Sequence, residues 1–226
     1  MTQHILKAKD LAWVLSATLP HIETTGVLPA LHGVLIETSP RTFEVTATDR
    51  YTLAHGVLNA ETGDSGGSVE CLLPAQYVKQ LLALARGTQG TITLDVDDFG
   101  VTVRPMTFST MVDGATYIFP SLREGIFPKW RKIVNDNVRA ASQLDAENTN
   151  AVGVNANFMA RWKYGSVSPS LPLVMTVRKN AAAVLFRSGR PDEDRYFVGL
   201  QMPATLADFD VNASHWTTWA TEETAA

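Results

Sequence analysis

Cysteine is almost missing from this 226-residue chain, where Cys71 stands alone. A single cysteine excludes an intramolecular disulfide and any zinc site built on cysteine pairs, and its expected role is a small buried apolar residue. Long hydrophobic runs are missing as well. The apolar stretches are short and broken by polar residues, so no membrane-spanning helix is expected, and the opening MTQHILKAKD lacks the apolar core of a secretory leader. The protein is therefore expected in the cytoplasm. The five histidines, His4, His21, His32, His55 and His215, show no paired metal spacing, and no glycine-rich phosphate loop ends in lysine. Neither a cofactor nor nucleotide hydrolysis is expected. Net charge is small, at −4, so bulk attraction to nucleic acid is excluded. Any contact with DNA requires basic residues gathered on one surface.

What is present is apolar content of 45%, enough to bury a core in one large or two small domains. Leu11, Val14, Leu15, Thr18 and Leu19 recur at helical spacing and predict a helix from about Ala8 to Leu19, with Lys9, Ala12, Trp13 and Ser16 on its other face. Gly33 to Glu37 is apolar on both sides. Thr42 to Thr48 alternates strictly, with Phe43, Val45 and Ala47 inward, which predicts antiparallel strands with one covered face. Gly56 to Gly67 reads as a strand end and a polar, glycine-rich loop. Pro74 suits the first position of a second helix that buries Val78, Leu81, Leu82 and Ala85 and stops at Gly87. Ile92, Leu94 and Val96, a turn around Asp97-Asp98-Phe99-Gly100, then Val101 and Val103 predict a hairpin.

Beyond Asn150 this second half repeats. Val152-Gly153-Val154 resembles the strand before the second helix, Asn155 can cap a helix running to Tyr164, and Gly165 can end it. Strands are expected at about Leu173 to Val177, Ala182 to Arg187 and Tyr196 to Met202. Two strand-helix-strands units precede about Val134 and one follows it, so the fold class is α+β with repeated sheet-plus-helix units. Expected domains are residues 1–135, a partial unit at 136–206 and an extension at 207–226. That extension carries Phe209, Trp216 and Trp219 among polar residues. It is either a flexible tail or a segment that docks its aromatics.

Two apparent chemical motifs lead nowhere. Gly63-Asp64-Ser65-Gly66-Gly67 copies the serine loop of trypsin-like proteases, but only ten positions separate His55 from Ser65, which does not fit two-barrel triad geometry. Asp95, Asp97 and Asp98 resemble the start of a calcium loop without its distal glutamate, so a hairpin turn is expected.

The run from Leu28 to Ala54, LPALHGVLIETSPRTFEVTATDRYTLA, resembles the middle domain of bacterial DNA polymerase sliding clamps. Pro29, Leu31, Gly33-Val34-Leu35 and the Ala47-Thr48-Asp49 turn carry the likeness, which continues into Leu53-Ala54. Tyr196-Phe197-Val198-Gly199-Leu200-Gln201-Met202-Pro203-Ala204 is similar to the closing strand of that family. Phe127-Pro128-Lys129-Trp130-Arg131-Lys132 resembles the connector between its middle and last domains, where Trp130 can clamp the domains together. Arg131 and Lys132 read equally as structural or phosphate-facing. Where the family has Gly-His-Arg after Ala-Thr-Asp, this chain has Arg50-Tyr51-Thr52.

The resemblance implies a DNA-clamp fold of about one and a half clamp domains and a processivity factor rather than an enzyme. It implies that Lys9, Lys79, Arg86, Arg161 and Lys163 face duplex DNA from the helices, holding phosphates without reading bases; Asp10 is the one nearby acid. An ordinary solvated helix face is the plainer reading of the same residues. It further implies an apolar peptide-binding cleft of Leu31, Thr48, Tyr51, Leu53, Leu200, Met202 and Pro203 that receives DNA polymerase and clamp-loader peptides. Plain core packing is the alternative for those positions. A family ring needs more domains than this chain supplies, so a homo-oligomer is expected. The competing functional reading is a regulatory clamp-like protein that sequesters clamp-binding peptides or caps a host clamp without encircling DNA.

Overall fold

A computed structural model describes residues 2–62, 68–106, 115–122, 125–142, 154–168, 170–177 and 183–203. The chain starts with strand β1 (Thr2–Lys7) and helix α1 (Ala8–Thr18), followed by β2 (Gly33–Thr38), β3 (Thr42–Thr48), β4 (Thr52–Asn59) and the two-residue β5 (Glu61–Thr62). The same order then recurs as β6 (Val69–Pro74), α2 (Ala75–Gly87), β7 (Thr91–Asp97), β8 (Gly100–Met106) and β9 (Tyr117–Pro120). The leading strand of each unit crosses to the other's sheet: β1 pairs with β7, and β6 pairs with β2. This exchange ties the units together, because neither sheet is complete without a strand from the other.

The core follows from the helical spacing. Leu11, Val14 and Leu15 of α1 and Val78, Leu81, Leu82 and Ala85 of α2 are buried against Val34, Ile36 and Val45 of one sheet and Ile92, Leu94 and Val103 of the other. Burying a full aliphatic side chain contributes roughly 1.5–3 kcal/mol. These helices are held by this apolar stripe and not by end caps, since neither has a side-chain cap hydrogen bond. Close approach is allowed by Gly56, in the middle of β4, where a Cβ would lie 2.6 Å from Cγ2 of Val14.

After β9 the chain forms α3 (Trp130–Ser142), then the short helix α4 (Ala156–Met159), which tightens into a 3-10 turn at Ala160–Tyr164. The backbone N–H of Asn157 donates to Oδ1 of Asn155 at 2.9 Å, the cap expected for that helix. Strands β10 (Val174–Thr176), β11 (Val184–Ser188) and β12 (Arg195–Gln201) follow. β12 pairs antiparallel with β4 along its whole length, Phe197 opposite Gly56 and Leu200 opposite Leu53. The result is one seven-stranded sheet, β10-β11-β12-β4-β3-β2-β6, beside the five-stranded sheet β5-β1-β7-β8-β9.

The two faces of the large sheet are covered differently. α1 lies on one face together with Trp162, whose indole stacks on Phe186 with ring centroids 4.3 Å apart and donates from Nε1 to Oε1 of Gln201 at 2.7 Å. Gly199 leaves room for that indole, because a Cβ there would sit 2.2 Å from Cζ3 of Trp162. The opposite face is covered by the 125–129 segment and α3, with Trp130 and Val134 buried in a second cluster that includes Leu35, Leu72, Leu185 and Phe127.

Several expectations need correction. Gly56 is central in β4 and not a strand end, because contact with α1 selects glycine there. Pro74 is the last residue of β6, opposite Gly33, and the helix begins one residue later. The connector motif runs directly into α3, a helix of 13 residues, and the expected boundary at residue 135 falls inside it. The burial of Trp130 and Val134, one turn apart, accounts for that helix. The glycine-rich stretch 63–67, the strand expected at Val152-Gly153 and the extension 207–226 lie outside the described residues.

Candidate functional site

The register of the large sheet brings the distant cleft positions together. Thr48 of β3 pairs with Leu53 of β4, which pairs with Leu200 of β12, which pairs with Leu185 of β11. Four strands thus deliver one row of side chains to one face. Leu31 is buried in the 3-10 turn Pro29–Leu31. Leu53 and Leu200 belong to the cluster that Phe127, Trp130 and Val134 also fill, and are only 6% and 4% exposed. The open positions are at the strand ends: Tyr51 and Met202 are about half exposed, at 50% and 52%, beside the partly buried Pro203. The backbone N–H of Met202 donates to the carbonyl of Tyr51 at 2.8 Å, so these two form a continuous rim.

That rim is held by a rigid turn. Oδ1 of Asp49 accepts from the Tyr51 and Thr52 backbone N–H groups at 3.0 and 2.7 Å and from the Thr52 hydroxyl at 2.9 Å. The Thr48 hydroxyl donates to the Thr52 carbonyl at 2.7 Å. Arg50, where the resembled family carries glycine, has φ of 80° and is the one non-glycine residue with positive φ among the described residues. The backbone there adopts the left-handed form that glycine takes without strain. Tyr51 stacks on Phe158 with ring centroids 5.9 Å apart, a partner that nothing in the local sequence pattern announced.

Of the five cations expected on the helices, Lys9, Lys79, Arg86 and Lys163 are exposed. α1 packs against both α2 and the Ala160–Tyr164 turn, so the helices that carry these residues are neighbours. The Arg86 guanidinium donates to the Ser16 hydroxyl at 3.0 Å, joining α2 to α1, and Lys163 lies 4.7 Å from the centre of the Tyr164 ring. Arg161 departs from the expectation. It forms an ion pair with Asp49, donates to the Thr52 hydroxyl at 3.2 Å and lies over the Phe158 ring, because the buried Asp49 carboxylate needs a countercharge. It braces the turn. Asp10, the acid beside this surface, is paired at 2.9 Å with Arg195, whose guanidinium also lies over the Trp13 ring. Arg195 sits 185 residues away in sequence, which hides the pair from any local reading.

His21 and His55 are buried, and burial drives each pKa down to about 3, with a neighbouring guanidinium, Arg161 or Arg131 respectively, acting in the same direction. Both imidazoles are neutral at pH 7. Nδ1 of His55 is 3.0 Å from the Thr46 hydroxyl and its ring lies against Trp130, so its proton chemistry is taken up by packing. Cys71 is buried as expected, and desolvation pushes its thiol up to about 11. Asp97 closes the β7–β8 turn by accepting from the N–H groups of Phe99 and Gly100, while Asp95 pairs with Arg104. Among the described residues no group of three or more His, Cys, Asp or Glu is arranged to hold a metal ion, and no helix is long and apolar enough to cross a membrane.

Solved structures share this architecture. The DNA polymerase sliding clamp of Pseudomonas aeruginosa superposes with a TM-score of 0.66 at 14% identity, over 91% of this chain and 67% of that one. The chain has the sliding-clamp fold. The Helicobacter pylori beta clamp bound to a DNA ligase peptide matches with a TM-score of 0.65 at 16% identity, over 91% of this chain and 66% of that one. A putative DNA polymerase III beta subunit from Eubacterium rectale matches at 0.64 and 12% identity, over 89% and 65%. The chain therefore spans about two thirds of the length of these sliding clamps. No protein-family model matches the chain, and no curated protein matches it. At such identities the likeness is one of fold.

Proposed function

We propose that this protein is a sliding-clamp-like processivity factor that holds duplex DNA on its helical surface and tethers a DNA polymerase through a peptide site at the Tyr51–Met202 rim. The observation that carries this reading is the β4–β12 junction: it draws Thr48, Leu53 and Leu200 into one row at the end where Tyr51 and Met202 stay open. That the Helicobacter pylori beta clamp is bound to a DNA ligase peptide supports a peptide partner of the same kind here. Lys9, Lys79, Arg86 and Lys163 supply exposed positive charge, which suits contacts to phosphates that slide. Tethering raises the local concentration of polymerase at its template, so the protein acts by holding and not by catalysis. Leu31, Thr48, Leu53 and Leu200 form the wall behind the rim, and Pro203 its edge. A homo-oligomer supplies the remaining arc around the duplex.

Retention on a closed circular duplex tests this directly. The protein is expected to stay on the circle through gel filtration and to be released when the circle is cut. Equal loss from both forms, together with retained binding of the Helicobacter pylori ligase peptide at the rim, would favour a sequestering role over encirclement.

A further inference from the structure

We infer that the open end of the large sheet, where a cavity lies between α3 and strands β10 to β12, is a second partner-docking surface. It takes an acidic peptide segment of another protein, which places an aromatic side chain in the cavity and its carboxylates against Arg187 and Arg190. The surface is separate from the rim, because neither Tyr51 nor Met202 lines the cavity. Its volume is about 750 Å³, within the range of sites that enclose small ligands.

The register of the sheet builds the floor. Val174 pairs with Arg187, Arg187 with Val198 and Val198 with His55, so four strands place one row of side chains on one face. α3 covers this row at its β4 end, where the Trp130 ring lies against His55. At the other end the row is open. Val174 is 47% exposed, and Leu171, also in the cavity wall, is 41% exposed. The sheet ends at β10, whose outer edge has no partner strand among the described residues. An extended segment can therefore pair its backbone there while a side chain turns into the cavity.

Charge selects the kind of segment. Three guanidiniums, of Arg131, Arg187 and Arg190, line the cavity against two carboxylates, of Glu44 and Glu193. Arg131 and Glu44 are paired with each other, and Glu193 accepts the backbone N–H of Arg190 at 3.2 Å. Arg187 and Arg190 are exposed and have no carboxylate partner among the described residues. Arg187 reaches only the Thr176 hydroxyl, at 3.4 Å. Guanidiniums at the edge of an apolar wall favour a segment that joins carboxylates to an aromatic ring over a basic or purely polar one.

Three labelled peptides, GDWDEFDG, GKWKKFKG and GDSDESDG, test the assignment by fluorescence anisotropy on the full chain. The acidic aromatic peptide is expected to bind at least tenfold more tightly than either of the others. Arg187→Glu combined with Arg190→Glu should reverse the preference toward the basic peptide. Leu171→Ser combined with Val174→Ser should weaken the acidic aromatic peptide at least fivefold. All four residues are exposed, so the urea midpoint is expected to stay unchanged and serves as the control for folding. Equal binding of the three peptides overturns the proposal, as does binding that survives both double variants. Displacement of the acidic aromatic peptide by the Helicobacter pylori ligase peptide overturns it too, since that would place both at the rim. A dimer in sedimentation that the Leu171→Ser, Val174→Ser variant dissolves assigns the face to a second copy and overturns it as well.

Discussion

The imidazole of His55 and the indole of Trp130 lie with ring centroids 4.1 Å apart, joining the middle of β4 to the first turn of α3. Burial keeps the imidazole in this contact neutral. His21 is in the same state beneath Trp162, with ring centroids 4.3 Å apart. In the unfolded chain both rings titrate near their ordinary value of about 6.5. Below that value the unfolded state binds the protons first, so stability is complete above about pH 6.5 and falls as the pH drops toward 3. The slope is about 1.4 kcal/mol per pH unit for each histidine. Urea midpoints measured from pH 7 to pH 5 should decline accordingly, and His55→Gln should remove part of the decline, the rest staying with His21 and with His4, whose pKa burial also lowers.

Arg50 occupies a left-handed backbone position, at a cost of order 1 kcal/mol or more for a residue with a Cβ. Arg50→Gly should therefore stabilise the protein by about 1 kcal/mol, read as a rise in Tm of about 2–4 °C. An unchanged or lower Tm would mean that the arginine side chain contributes an offsetting contact.

Arg161 and Lys79 should separate cleanly although both were read from sequence as DNA-facing. Arg161→Gln leaves Asp49 without its countercharge and should cost about 2 kcal/mol in chemical unfolding, with the turn at Asp49–Thr52 losing amide protection. Lys79→Ala should change stability by less than about 0.5 kcal/mol. It should instead lower the salt dependence of duplex DNA binding by about one unit of slope. The opposite pattern would exchange their roles.

Trp130 anchors α3 through its buried ring and through Nε1, which donates to the Glu37 carboxylate at 3.0 Å. Trp130→Ala should cost about 3–5 kcal/mol, and the amides of α3 should lose protection well ahead of those in the β7–β8 hairpin. Glu37→Gln keeps the acceptor but removes the ion pair with Arg131, and should produce a smaller shift in the same direction.

What the sequence disclosed and what it hid follow from range. α1, α2, the β7–β8 hairpin and the alternation of β3 were readable because their signals are periodic and local. The row Thr48, Leu53 and Leu200 was placed by resemblance, and its convergence depends on a strand pairing with no local signature. α3 begins at Trp130 and buries its next turn at Val134, so it starts inside the Phe-Pro stretch that reads from sequence as a connector between domains. The roles of Arg161 and Arg195 were hidden for a different reason: each charge is matched by an acid more than a hundred residues away.

The pairing of β12 with β4 also governs how the molecule is made. During synthesis β4 leaves the ribosome long before Arg195–Gln201 exist, so a complete, hydrogen-bonding edge must wait for nearly 150 further residues. Nascent chains are therefore open to strand capture by neighbours until the last part is translated. Slowing translation over residues 60–190 lengthens that window and should lower the yield of native protein.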